Sequence, residues 1–510
     1  MNDESTLAPA RYTQDTSQKK WDITLTIGVF FDGTSNNAHN RSLLQTVCPD
    51  AHSVSREATV ETVSDQCIRR QLGIHGTAAG SYLGDYTNIY WLYSLYHQGI
   101  TPDSEMGQVA LYISGIGTED GIEDSTYSIV TGNGNSGVMK KTDQAVVALA
   151  GCIQDYIRQY VGACACRITR LQFDLFGFSR GAAAARHFAN RVFRQDPAIV
   201  EAIQFGLKGI EFCGPRGGGT RFLGIFDTVA AIGTPVNGFN PHNADTGGVN
   251  LVLRPGVAEK VFHITAQHEC RFNFALNSVK PSWPELALPG VHADIGGGYP
   301  PDENETYFIT RPRYETVPLF TSDTGTRIYQ QTREQLSSLE GFPAIAPLLQ
   351  VADVDIETWH DARMPADRYG TLQKRSGAAA VITRSTRNDW SKVVLRVMLD
   401  AAQHAGVIFT PLDDVAADLS VRPGLKSLCE KALEMGRALR NGQRVNGFTA
   451  PEITMLAEKY IHCSANWNSV VRDHQGAVTG SVRPLKWVTF INRPDERWQR
   501  TVYDMDGRKI

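Results

Sequence analysis

The chain has 510 residues, too many for one minimal core, so a large domain with insertions or two lobes is expected. Its 42% hydrophobic and 20% charged residues are ordinary for a soluble globular protein. A net charge of −4 argues against a nucleic-acid partner and against a polybasic membrane patch.

Residues 1–20 read as a polar tail without the apolar segment of a signal peptide, and no apolar run is long enough to span a bilayer. Synthesis in the cytoplasm without a signal peptide is the expectation. Nine cysteines, an odd number without zinc spacing, read as reduced buried thiols with no metal role.

Trp21 to Phe31 alternates and then turns continuously apolar, as a strand entering a central sheet does. It runs into Asp32-Gly33-Thr34-Ser35-Asn36-Asn37, small polar residues at a strand's carboxyl end, where ligand chemistry in open α/β sheets collects. A capped turn accounts for the same residues equally well. Residues 46–84 read as a surface excursion, Asn88 to Tyr96 as a helix and Val109 to Ile113 as a strand. Gly132, Gly134 and Gly137 match G-x-G-x-x-G, with Asp155 further on, but no strong strand leads into them. A flexible loop before the helix at about 138–160 is the better reading. No cofactor is expected.

The stretch LQFDLFGFSRGAAAAR, Leu171 to Arg186, organises the remainder. A buried strand ends at Gly177 and a small-residue helix opens after Ser179. G-x-S-x-G at such a join is a nucleophile elbow, too tight for side chains two before and two after the serine. The helix N-terminus and the Arg180 amide then face the place where an oxyanion would form. The second donor is expected from the early loop, from Gly33 or Thr34.

A serine hydroxyl needs a histidine to take its proton, and the histidine needs an acid to fix its tautomer. In α/β-hydrolases these follow in the order serine, acid, histidine, at strand ends. Asp227 follows the strand Phe222–Phe226, and His292 follows the apolar segment before Gly296–Gly298. The rivals fit less well. Asp174 lies inside the elbow strand, His187 behind the nucleophile and His263 in mid-strand. His268 and His462 lie in more helical surroundings, and Asp294 reads as a cap of the glycine turn. The strand and helix alternation predicts an α/β-hydrolase fold with a mostly parallel sheet over 21–305.

Beyond 305 the sequence predicts a mostly helical C-terminal lobe, with 311–385 irregular and a late strand near 487–491. Its amphipathic helices carry Trp390, Val393, Val397 and Met398, then Leu425, Leu428 and Ala432, then Ile453, Leu456, Tyr460 and Ile461. Such stripes serve as core, or as a lid that opens on lipid.

FFDGTSNN, DYTNIYWLY, ISGIGT, FDLFGFSRGAAAAR, FLGIFDTV and GVHADIGGGYP, in that order, resemble the hydrolase domain of the first family of type VI secretion lipase effectors. Ser35 stands where that family usually has glycine. The resemblance implies a triad of Ser179, Asp227 and His292 and phospholipase A1 or A2 activity on bacterial membranes. It also implies injection into rival cells with action in their periplasm, a type VI spike or tube component as carrier, and a cognate immunity protein. A cytosolic esterase or thioesterase acting on soluble acyl esters is a second reading, and a catalytically idle binding module a third.

Overall fold

The computed structural model describes residues 21–48, 63–74, 79–101, 105–161, 166–232, 244–412, 417–467, 470–472, 478–481 and 492–510. The first nine strands are β1 (Trp21–Phe31), β2 (Gly99–Thr101), β3 (Met106–Ile113), β4 (Cys166–Phe178), β5 (Glu211–Phe212), β6 (Gly219–Phe226), β7 (Lys260–Ala266), β8 (Leu276–Asn277) and β9 (Glu285–Leu288). All but β8 join an eight-stranded sheet in the order β2-β3-β1-β4-β6-β7-β9, with β5 beside β4. Only the β2–β3 pairing is antiparallel. The expected mostly parallel α/β-hydrolase sheet is therefore present.

Register decides what this sheet can do. Phe31 pairs with Gly177, Phe178 with Phe226, and Phe226 with Ile264. The carboxyl ends of β1, β4, β6 and β7 thus lie side by side, and the residues that follow them share one edge. Because side chains alternate along a strand, the sheet buries two faces. Val29, Phe173, Leu175, Leu223 and Ile225 pack under the helices Val138–Tyr156 and Arg180–Phe193. Phe30, Phe176, Phe222 and Phe262 pack on the opposite side.

The cover on that opposite side comes from far along the chain. Helix Asp389–His404 buries Trp390, Val393, Val394, Val397 and Met398 in one cluster with those phenylalanines. Helix Lys426–Arg440 and helix Ala450–Lys459 add Leu428, Ala432 and Leu456 to it. In this structure the stripes pack into the core, with the Leu456 side chain fully buried, an arrangement that a permanent core and a closed lid share.

The expectation for 311–385 also needs correction. With β10 (Asp302–Phe308), β11 (Arg313–Pro318), β12 (Asp353–Met364) and β13 (Gln373–Arg387), this region builds a four-stranded antiparallel sheet. The C-terminal lobe is therefore mixed α and β. The cause of the misreading is compositional. Strand β13 is buried through Gly377-Ala378-Ala379-Ala380, residues of low β-propensity, and β12 alternates Asp and Glu with half-buried apolar residues. Tertiary pairing to β13 overrides both.

A last antiparallel pair is formed by β14 (Val470–Arg472) and β15 (Val478–Ser481), while β16 (Val502–Tyr503) lies parallel to β8. The expected tail at 1–20 and the expected strand at 487–491 lie outside the described residues. The excursion at 46–84 contains helices Val63–Leu72 and Gly80–Leu83.

Cys48 and Cys67 are joined in a disulfide across 6.3 Å between Cα atoms, which corrects the all-thiol expectation. Spacing in sequence carries no information on such a pairing. Cys152, Cys213, Cys270, Cys429 and Cys463 are free thiols.

Candidate active site

The elbow is as tight as its glycines require. Ser179 sits at φ 59°, a left-handed conformation that an L-residue holds only when its surroundings impose it. A Cβ on Gly177 would lie 2.4 Å from the Gly181 carbonyl oxygen, and one on Gly181 would lie 2.3 Å from that of Asp32. The Ser179 amide donates to the Phe226 carbonyl (3.1 Å), and its own carbonyl accepts from Ala182 (3.0 Å). Strand, turn and helix are thereby fixed as one unit.

Asp227 follows β6 at φ 41° and is wholly buried. Its Oδ2 accepts from His292 Nδ1 at 2.5 Å, and its Oδ1 accepts from the Ala266 amide at 2.9 Å. Burial alone would raise this carboxyl, but Arg500 and His292 hold it well below the usual carboxylate range. His292 lies four residues beyond the end of β9 and opens a short helix, His292–Gly296, rather than closing a strand. Its amide donates to Glu269 Oε2 at 3.2 Å, and its ring lies 4.5 Å from that of Phe178 and 4.9 Å from that of Phe274. Burial lowers the imidazole's pKa, against the pull of Asp227. The neutral form, which can accept a proton, is favoured.

Ser179, Asp227 and His292 are thus brought to one edge, with relative exposures of 5%, 0% and 6%. Among the described residues no hydrogen bond joins Ser179 to His292; such contacts tighten when substrate fills a site.

The oxyanion donors divide differently from expectation. The Arg180 amide is the first of its helix and has no intrahelical acceptor. The Gly33 amide, however, donates to Asp32 Oδ1 at 2.7 Å and is already engaged, so Thr34 is the better of the two loop candidates. The Thr34 hydroxyl accepts from Arg180 Nε at 2.8 Å, tying the early loop to the elbow helix. Asp32 also accepts from Thr87 (2.7 Å) and Tyr112 (2.5 Å), and burial pushes its carboxyl up to about 6. It is the brace of the loop. A small, open polar cleft lies beside that brace, lined by Asn36, Asn37, Arg41, Asp85 and Tyr86 but by neither Ser179 nor His292.

The rival residues have other tasks. Asp174 is paired to Arg221 at 2.6 Å and to the Tyr96 hydroxyl. His187 Nδ1 accepts from the Asn250 amide, and burial lowers its pKa to about 4. His263 Nε2 accepts from the Thr228 amide while Nδ1 meets Glu285, so this pair buttresses the residue after Asp227. His268 Nδ1 accepts from the Gly290 amide. Asp294 does accept from the Val291 amide, as a cap, and it also meets His462 Nδ1 at 2.6 Å. The glycines Gly132, Gly134 and Gly137 form a turn between two helices with no strand before it.

Sequence reasoning missed Arg500 and Glu269. Arg500 Nη1 and Nη2 donate to the two Asp227 oxygens at 2.6 and 2.8 Å across 273 residues of chain, and no local pattern announces such a contact. Glu269 accepts from Arg271, from the Cys270 amide and from Ser464, and opposite charge holds it near 2 despite burial.

A parallel sheet with an elbow at the end of β4 and an acid and a histidine gathered beside it define an α/β-hydrolase. The profile described as "T6SS, Phospholipase effector Tle1-like, catalytic domain" matches residues 210–319, which include Asp227 and His292. Among solved structures, the chain is similar to the Tle1 effector bound to the VgrG spike of the type 6 secretion system. The two share 37% identity over 98% of this chain and 98% of that chain, with a TM-score of 0.75. An uncharacterized protein from Pseudomonas aeruginosa is 18% identical over 86% of this chain and 53% of that chain, with a TM-score of 0.37. No curated protein matches. The chain belongs to the Tle1-like family of type VI secretion phospholipase effectors.

Proposed function

We propose that the chain is an antibacterial phospholipase A, of A1 or A2 specificity, working through Ser179, Asp227 and His292. The observation that carries this reading is the 2.5 Å pair of His292 Nδ1 and Asp227 Oδ2 on the same sheet edge as the strained Ser179. Ser179 Oγ attacks the acyl carbonyl of a glycerophospholipid while His292 Nε2 takes its proton. Asp227 keeps Nδ1 protonated and stabilises the imidazolium that results. The tetrahedral oxyanion lies against the Arg180 and Thr34 amides. Collapse expels the lysophospholipid alkoxide, which His292 protonates, and water then releases the fatty acid from Ser179 by the same steps. The reaction requires no metal or other cofactor.

Exposed apolar residues supply the contact with lipid. With Leu456 in the core, the best source is the tip of the small sheet, where Phe320 and Tyr369 are 84% and 76% exposed. The Leu319 amide donates to the Leu372 carbonyl, which joins the two loops, and Arg368 lies 4.6 Å over the Tyr369 ring. Aromatic rings beside guanidinium groups suit an anionic bilayer surface. By analogy with the Tle1 effector bound to VgrG, a type VI spike carries this chain into the periplasm of a target cell. A cognate immunity protein protects the producer, and nucleic acid is not a partner.

The test is fatty-acid release from phospholipid vesicles by wild type and by Ser179→Ala. The reading expects release by the first alone; equal release by both would remove it.

A further inference from the structure

The last described segment, residues 492–510, is built into the site. The Phe272 amide donates to the Arg493 carbonyl, and Arg271 and Pro494 form a bridge. Further on, β16 pairs with β8, with the Leu276 amide donating to Thr501 and the Ser278 amide to Tyr503. Strand β8 is itself tied to the residue after the acid, since the Asn277 amide donates to the Thr228 carbonyl at 2.9 Å. This double registration delivers Arg500. Its Nε donates to the Phe274 carbonyl (2.6 Å), and its two terminal nitrogens grip Asp227 in a fork. The Arg500 side chain is 7% exposed, so the pair is shielded from solvent.

The chemistry of that fork goes beyond anchorage. Asp227 Oδ2 receives both His292 Nδ1 and Arg500 Nη2, so one oxygen's charge is shared between two donors. Guanidinium and carboxylate match in plane and spacing, which fixes the carboxylate's rotation as a lysine could not. Besides Asp227, the charged groups facing His292 are Glu269 and Arg271 on the segment after β7, Arg500 on the C-terminal strap, and Asp294 on its own helix, where His462 engages it. Removing the positive charge of Arg500 leaves more of the Asp227 charge to the imidazolium and makes His292 more basic.

We infer that Arg500 is a positioning residue for the triad: it holds Asp227 in the rotation that His292 needs and tempers the basicity of His292. This rests on the proposed roles of Ser179, Asp227 and His292. It follows that the C-terminal strap must be docked for the site to be competent, although no residue of the strap reacts.

The experiment measures kcat/KM for a soluble short-chain ester from about pH 5 to 9, a span that brackets an ordinary histidine. Arg500→Met, Arg500→Lys and Arg500→Gln are compared with wild type, alongside Asp227→Ala and His292→Ala, with melting temperatures recorded. Arg500→Met is expected to lose about a hundredfold in kcat/KM, the scale of a misplaced catalytic group. Its acid limb should move up by about one pH unit as the charge is removed. Arg500→Lys keeps the charge and loses the fork, so its limb stays while its rate falls about tenfold. If Arg500→Met does not fold, Arg500→Gln, which is also neutral, takes its place. A folded neutral variant with an unmoved limb and near-normal rate overturns the inference while the triad stands. Full activity in Asp227→Ala and His292→Ala would instead overturn the triad reading itself.

Discussion

The carboxyl edge of the central sheet and the tip of the small antiparallel sheet differ in nearly every physical respect. At the first, Ser179 and Asp227 both sit at positive φ, the glycines of the elbow leave no room for a Cβ, and each polar group of Asp227 has a partner. At the second, Phe320 and Tyr369 stand in solvent, with the exposed Arg368 over the Tyr369 ring. Preorganised, desolvated dipoles are what a reaction with a charged intermediate requires. Adaptable exposed apolar groups are what adhesion to a fluid surface requires. The proposed chemistry and the proposed lipid contact lie in different sheets, so they can be broken separately.

The chemical edge gives the strongest test of that separation. Ser179→Ala should lower ester and vesicle hydrolysis alike by about 10⁴-fold or more, as for other triads. Asp227→Ala and His292→Ala should be comparable, and double mutants scarcely worse, because members of one unit fail together. Near-normal turnover in His292→Ala, with loss in His268→Ala or His462→Ala, would move the base elsewhere.

Two further changes probe the geometry and electrostatics of the same edge. Gly181→Ala must push its Cβ against the Asp32 and Phe31 carbonyl oxygens, so it should cost about 1–3 kcal/mol of stability and most of the activity. Denaturant unfolding with an activity assay checks both. Because burial lowers the His292 pKa, the acid limb of kcat/KM should fall below the ordinary histidine value of about 6.5. Activity is lost as pH falls through that limb, when the base becomes protonated. A limb above the ordinary value would contradict the electrostatic account.

The proposed lipid-contacting tip predicts the smaller and more selective effect. Phe320→Ser with Tyr369→Ser should lower vesicle hydrolysis about tenfold through lost apolar contact, while a soluble ester is turned over as before. Leu456→Ser, placed in the core, should lower both activities together with the melting temperature. If the tip variant behaved like Leu456→Ser, the two regions would not be separable.

What could be read in the sequence follows the same division. The elbow was legible because its chemistry is local: two glycines around a serine, between an apolar strand and a run of alanines, admit one backbone path. That Asp227 and His292 meet at one sheet edge was legible because the order of an acid and a histidine after strand ends is constrained along an α/β chain. The small sheet was not, since the alanines of β13 and the charges of β12 acquire their strand character only from pairing with each other. Arg500 was not, because its contact with Asp227 spans 273 residues and depends on the pairing of β16 with β8. That the Gly33 amide is engaged by Asp32 was not legible, for a subtler reason. Composition marks the loop as amide-rich but cannot show that Asp32 turns back to accept its neighbour's proton.

The most direct measurement of the central claim is covalent trapping. A fluorophosphonate incubated with the full chain and located by mass spectrometry of the digest should modify Ser179 in wild type. It should fail to do so in His292→Ala, where nothing removes the serine proton. An adduct on another residue, or continued phospholipid hydrolysis after complete modification of Ser179, would contradict the account.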